Sequence, residues 1–75
     1  MKNIIIAGGN GFLGRQFTEF LLSKKNFNVH IIDKSLIKNK NRNLYQYKCE
    51  ILDEKKISNK INLIFKKFLS IDILI

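Results

Sequence analysis

The chain has 75 residues and a formal charge of +8, from fourteen Lys plus Arg against six Asp plus Glu. A chain of this size buries only roughly 60% of the surface its unfolded form exposes, which leaves room for one small domain and excludes a self-contained two-domain enzyme. Hydrophobic content of 45%, with two Tyr and six Phe, excludes a disordered charged arm.

Lys2 to Ala7 is a β-branched run bounded by glycine, which predicts a strand buried on both faces in a parallel sheet. After Gly8-Gly9-Asn10-Gly11, the apolar positions Leu13, Phe17, Phe20 and Leu21 recur at helical spacing. They predict one buried helix face that ends near Lys24-Lys25, where lysines suit the negative end of the dipole. Phe27 to Asp33 predicts a second strand around Val29-His30-Ile31-Ile32. Lys34 to Asn43 is polar and reads as a loop with at most one helical turn, and Leu44 to Glu50 as a third strand carrying Tyr45 and Tyr47. Asp53 is a good N-cap with Glu54 in the first turn, and Ile57, Ile61, Ile64, Phe65 and Phe68 predict a helix face that runs to Lys66-Lys67. Ile71 to Ile75 closes as an apolar strand.

The β-α-β-β-α-β order implies right-handed crossovers and a parallel sheet. The expected fold class is α/β, the first half of a Rossmann-type doubly wound sheet with strand order 3-2-1-4, and residues 1–75 form one partial Rossmann domain. Its ligand belongs outside the carboxyl ends of the strands, where the order switches between the first and fourth.

Gly8-Gly9-Asn10-Gly11-Phe12-Leu13-Gly14 follows a strand and opens a helix, the setting a dinucleotide fingerprint requires. From Gly9 it fits G-x-G-x-x-G, and from Gly8 it fits G-x-x-G-x-x-G. Such a loop needs a tight turn, a backbone free of Cβ atoms where the pyrophosphate approaches, and helix N–H groups, here near Phe12 and Leu13, that face the anion. Asp33 stands 19 residues beyond Gly14 at the end of the second strand, where a carboxylate accepts from the ribose hydroxyls and repels a 2′-phosphate. NAD is therefore expected over NADP, with Lys34 as the residue that could offset a phosphate charge. The alternative for the same glycines is a plain strand-to-helix turn.

These residues resemble the short-chain dehydrogenase/reductase family, and the resemblance covers the whole chain. Ala7 to Gly14 looks like the family's N-terminal cofactor motif, with Ala7 where Thr is usual. Glu50-Ile51-Leu52-Asp53 resembles the D-[VL]-x-D stretch after the third strand, which implies an adenine contact from Glu50 and the neighbouring Ile51. Lys67 to Ile75 resembles the run entering the fourth strand. Two branches compete. The 19-residue step from Asp53 to Asp72 and the Ile-Asp-Ile-Leu-Ile ending resemble the single-domain branch of alcohol and ketone oxidoreductases. The Gly8/Gly11/Gly14 spacing and the short connection after Asp33 resemble the extended branch of sugar-nucleotide epimerases and dehydratases. Element length carries more weight, so the reading leans to the single-domain branch.

The resemblance implies a catalytic Tyr-x-x-x-Lys pair on a later helix. Here Tyr45 is followed four residues on by Cys49 and Tyr47 by Ile51, so no catalytic residue is assigned, and the expectation is a truncated product or an opening fragment. A small-molecule substrate, and a homo-oligomer, are then expected only of a full-length protein. His30 reads as a satisfied structural histidine, Cys49 as a buried thiol, and the two tyrosines as strand packing rather than base-stacking platforms. Ile, Lys and Asn supply 34 of 75 residues, the usage of AT-rich codons. The basic excess is accordingly read as composition, and Lys56, Lys60 and Lys67 as a solvated helix face. A basic nucleic-acid-binding module is the alternative from another class. A single cysteine offers neither a disulfide nor a metal cluster, and the apolar runs fall short of the roughly 18 residues of a membrane span. No membrane partner is expected, and the location expected is cytoplasmic.

Overall fold

The computed structural model describes residues 1–68 and 70–74. The elements follow in the order β1 (Lys2–Ala7), α1 (Phe12–Ser23), β2 (Phe27–Asp33), β3 (Leu44–Lys48), α2 (Glu54–Phe68) and β4 (Ile73–Leu74). The four strands form one parallel sheet in the order β3-β2-β1-β4. The fold is the Rossmann-type α/β half-domain that the alternation of strand and helix signals anticipates.

Register decides which side chains meet which helix. Ile4 pairs with Val29 and Ile6 with Ile31, and these four face α1, where Leu21 and Leu22 complete the cluster. Ile5 and Ile32 face the opposite way and pack with Cys49 and Ile64, flanked by Tyr47, Ile57, Ile61 and Phe68 from β3 and α2. One helix covers each face, so β1 and β2 are apolar on both sides, the condition their continuous β-branched runs meet.

The faces of both helices differ from the predicted ones. In α1 the buried residues are Thr18, Leu21 and Leu22, whereas Leu13 and Phe20 stay 79% and 56% exposed and Phe17 is exposed as well. The cause lies in the first turn. A Cβ on Gly14 would sit 2.5 Å from the Gly9 carbonyl oxygen, so the helix packs through Gly14 onto the turn that follows β1, and Thr18 and Leu21 follow on that face. Leu13 and Phe17 are thereby rotated off it. In α2, Ile57, Ile61, Ile64 and Phe68 face the sheet while Phe65 is exposed, a narrower stripe than predicted.

Boundaries shift for local reasons. β3 ends at Lys48 rather than Glu50, because Glu50 to Asp53 forms a turn with the Asp53 N–H donating to the Glu50 carbonyl. Asp53 caps α2 through its Oδ1, which accepts from the Lys56 N–H at 3.1 Å. α1 stops at Ser23, so Lys24 and Lys25 lie beyond it rather than in its last turn. β4 is observed at Ile73–Leu74; Ile71 and Asp72 precede it, and Ile75 lies outside the described residues.

Residues 34–43 form no helix. Side chains satisfy this backbone instead: Asn39 and Asn41 each accept, through Oδ1, from the N–H two residues on. The Asn43 carbonyl accepts from the Val29 N–H, which starts the pairing of β3 with β2.

Candidate dinucleotide site

The site lies at the carboxyl end of β1, where the strand gives way to the glycine loop. Gly8 has a φ of +74°, a left-handed turn that L side chains rarely adopt, and its N–H donates to the Ile32 carbonyl at 2.7 Å. Gly14 supplies the close helix approach described above. Gly11 has neither constraint: a Cβ there would meet only the Gly8 carbonyl oxygen, at 3.6 Å. Gly11 is exposed, so the space its side chain would take is open at the mouth of the loop.

The start of α1 is uncapped. Gly11 makes no side-chain cap hydrogen bond, the first turn holds no acidic residue, and the first backbone bond back to the loop runs from the Arg15 N–H to the Gly11 carbonyl. The N–H groups of Phe12, Leu13 and Gly14 precede that bond and have no intrahelical acceptor, as at any helix start. An uncapped positive helix end beside a Cβ-free cradle fits a phosphate group. The residues present therefore fit the pyrophosphate of a dinucleotide.

Asp33, at the end of β2, is half-buried beside the loop. Its Oδ2 accepts from the Asn10 N–H at 3.1 Å and its Oδ1 from the Ser35 N–H at 3.0 Å. A carboxylate has about four lone-pair sites, so each oxygen keeps one for a further donor such as a hydroxyl. Asn10 behaves differently from an open ligand contact. Its side chain is buried, and Nδ2 donates to the Ser35 carbonyl and to Gln46 Oε1, while Oδ1 has no partner among the described residues. The side chain belongs to the wall behind the loop.

Ile51 is brought to the loop, since its Cδ1 lies 3.6 Å from where a Gly8 Cβ would be. Glu50 is exposed, with its Oε1 accepting from the Leu52 N–H at 3.4 Å. It lines a cleft of about 700 Å³ between the β3 end and α2 that Lys34, Lys48, Lys56 and Lys60 also border. Gln46, a lone polar strand residue with no motif around it in the sequence, is tied to Asn10 and to the Ile37 backbone.

His30 is fully buried on the α2 side of the sheet. Its Nδ1 is 3.0 Å from the Tyr47 hydroxyl and its Nε2 3.0 Å from Asn3 Oδ1. Because Asn3 Oδ1 only accepts, the proton belongs on Nε2 and Tyr47 donates to Nδ1. The ring stacks on Tyr45 at 5.0 Å and meets Phe68 edge-on at 4.5 Å. Burial, and next the charge of Lys67, hold the His30 pKa down to about 4. Burial and then Tyr45 push Tyr47 up to about 12. These groups form a neutral structural cluster away from the glycine loop, and Cys49 is likewise buried. Among the described residues no group of His, Cys, Asp or Glu is placed to hold a metal ion, and no helix is long and apolar enough to cross a membrane.

Fold and loop together are those of a Rossmann-type α/β unit with a glycine-rich turn after its first strand. The model of the NAD dependent epimerase/dehydratase family matches residues 4–74, and the chain belongs to that family. Solved structures with the same fold include short-chain dehydrogenases. A short chain dehydrogenase family protein of Francisella tularensis is 31% identical with a TM-score of 0.82, over 100% of this chain and 31% of that one. ElxO with NADP bound is 28% identical with a TM-score of 0.83, over 97% of this chain and 33% of that one. A short chain dehydrogenase of Leptospira borgpetersenii with bound NAD+ is 24% identical with a TM-score of 0.84, over 97% of this chain and 29% of that one. The chain thus spans about a third of the length of the structures it matches. No curated protein matches it.

Proposed function

We propose that the chain is the cofactor-binding portion of a short-chain dehydrogenase-type oxidoreductase, holding the pyrophosphate and adenosine of a nicotinamide dinucleotide. When bound, the dinucleotide supplies the hydride acceptor or donor for interconverting an alcohol and a ketone. The chain's own residues bind and orient it. The N–H groups of Phe12 and Leu13 face the pyrophosphate, Gly11 lets it approach, and Gly8, Gly9 and Gly14 shape the turn behind it. Asn10 braces that turn, Asp33 accepts from the ribose hydroxyls, and Glu50 and Ile51 border the adenine. The observation that carries this reading is the Cβ-free cradle at Gly11 in front of an uncapped helix.

NAD is the cofactor expected of this site. The Asp33 charge repels a 2′-phosphate, and its two free lone pairs suit two hydroxyls. Similar structures carry NAD+ in one case and NADP in another, which supports the dinucleotide class common to both. Tyr45 and Tyr47 serve the core, so proton transfer to substrate falls to residues of a full-length protein. Asp33→Asn tests the ribose assignment. Losing a charge-assisted acceptor is expected to weaken NAD binding about tenfold and to narrow the preference over NADP, read by cofactor fluorescence titration. Unchanged affinity for both dinucleotides would remove Asp33 from the site.

A further inference from the structure

Gln46 sits in the middle of β3 on the α1 side, where the β2–β3 connection carries no helix to cover the strand. Its carboxamide takes that role. Oε1 accepts from the Ile37 N–H at 3.0 Å and Nε2 donates to the Ile37 carbonyl at 2.7 Å, so one side chain pairs with a backbone segment as a neighbouring strand would. The second lone pair of Oε1 accepts from Asn10 Nδ2 at 3.1 Å.

Through these contacts Gln46 reaches both N–H groups that hold Asp33. Asn10 gives its side chain to Gln46 and Ser35, and its backbone N–H to Asp33 Oδ2. Ser35 gives its carbonyl to Asn10 and its N–H to Asp33 Oδ1. Ile37, two residues further on, is pinned by Gln46 directly. The carboxylate plane of Asp33 is therefore set from both sides by donors whose positions depend on one side chain of the next strand. The Asn10 amide orientation follows from the same ring, because reversing it would turn its oxygen toward two acceptors.

We propose that Gln46 is the positioning residue for the adenosine ribose: it fixes the orientation of the Asp33 carboxylate and with it the discrimination between NAD and NADP. The proposal rests on the dinucleotide reading above. Both lone pairs of Gln46 Oε1 are occupied within the protein, so its effect on the ligand runs through Asn10, Ile37 and Asp33. A side chain that merely stabilised the loop would change unfolding and leave cofactor choice alone. A positioning residue changes cofactor choice as well.

The experiment titrates NAD and NADP into the wild-type chain and into Gln46→Leu, Gln46→Asn and Gln46→Glu, with amide hydrogen exchange on each unliganded protein. Gln46→Leu removes all three hydrogen bonds, and Gln46→Asn withdraws the carboxamide by one methylene. Either is expected to weaken NAD about tenfold and NADP less than about twofold, and to speed exchange of the Asn10 and Ser35 amides about tenfold. Gln46→Glu keeps both acceptor contacts but sets a carboxylate oxygen against the Ile37 carbonyl, so it too is expected to weaken NAD about tenfold and to narrow the NAD to NADP ratio. A wild-type NAD to NADP ratio in Gln46→Asn, or unchanged exchange at Asn10 and Ser35, would overturn the proposal even if stability fell. A wild-type chain that binds neither dinucleotide would instead bring down the cofactor reading and this proposal together.

Discussion

The glycines of the loop do unlike things, and their substitutions are expected to separate. A Cβ at Gly14 would stand 2.5 to 2.8 Å from three backbone atoms of Gly9, which have no rotamer with which to yield. Gly14→Ala is expected to cost about 3 kcal/mol by overpacking, read in urea unfolding. At Gly11 the same methyl meets one atom at ordinary contact distance. Gly11→Ala is expected to leave stability within about 0.5 kcal/mol while weakening dinucleotide binding at least about tenfold. Equal losses of stability in the two variants would show that the cradle over Gly11 is filled by the protein. The glycine spacing made this loop legible in the sequence, because its φ and close-approach demands are local. Gln46 was not legible: its role needs β3, the loop after β2 and the glycine turn in one place, and a lone polar residue in a strand carries no such signal.

At the scale of elements, the helices were readable from periodicity and the strands from β-branched or apolar runs, and the errors fell where tertiary contact overrules these signals. Leu13, Phe17 and Phe20 have the spacing of a buried stripe, yet Gly14 sets the rotation of α1 because only glycine permits its approach to Gly9. Residues 34–43 carry few cues, since their order comes from asparagine side chains and from Gln46 rather than from a repeating pattern. The end of α1 offers a further check. Lys25 follows the helix with a φ of 61°, the left-handed region where a Cβ costs roughly 1 kcal/mol and glycine nothing. Lys25→Gly is expected to raise stability by about 0.5 to 1 kcal/mol, seen as a higher denaturation midpoint at unchanged slope.

Across the whole molecule, the His30 cluster joins most of the elements. Asn3 comes from β1, His30 from β2, Tyr45 and Tyr47 from β3, and Phe68 from α2. Its protonation behaviour is a property of the folded state as a unit. The native imidazole, held to about 4, refuses a proton that the unfolded chain takes up near the ordinary histidine value of 6.5. The cluster's contribution is therefore complete above pH 6.5 and is lost as pH falls towards 4, by about 3 kcal/mol. Urea unfolding of wild type and His30→Gln at pH 7 and pH 4 measures it, with the wild type expected to lose about 3 kcal/mol more than the variant. Parallel losses would mean that His30 is charged in the native protein.

Asn3 also reaches the segment that leads into β4. Its N–H donates to Asp72 Oδ2 at 2.7 Å, its carbonyl accepts from the Asp72 N–H at 2.9 Å, and its Nδ2 donates to Ser70 Oγ at 3.2 Å. Among the described strands β1 comes first in the chain, and its pairing is completed only by β4, the last of them. Its β2 side closes over a separation of 25 residues, and its other side waits for a contact between positions 69 apart. During synthesis a β-branched central strand stands with one row of backbone donors and acceptors open until segment 70–74 emerges. Closing the chain over 69 positions costs more entropy than pairing β1 with β2, so that open edge is the row on which another extended chain would pair first.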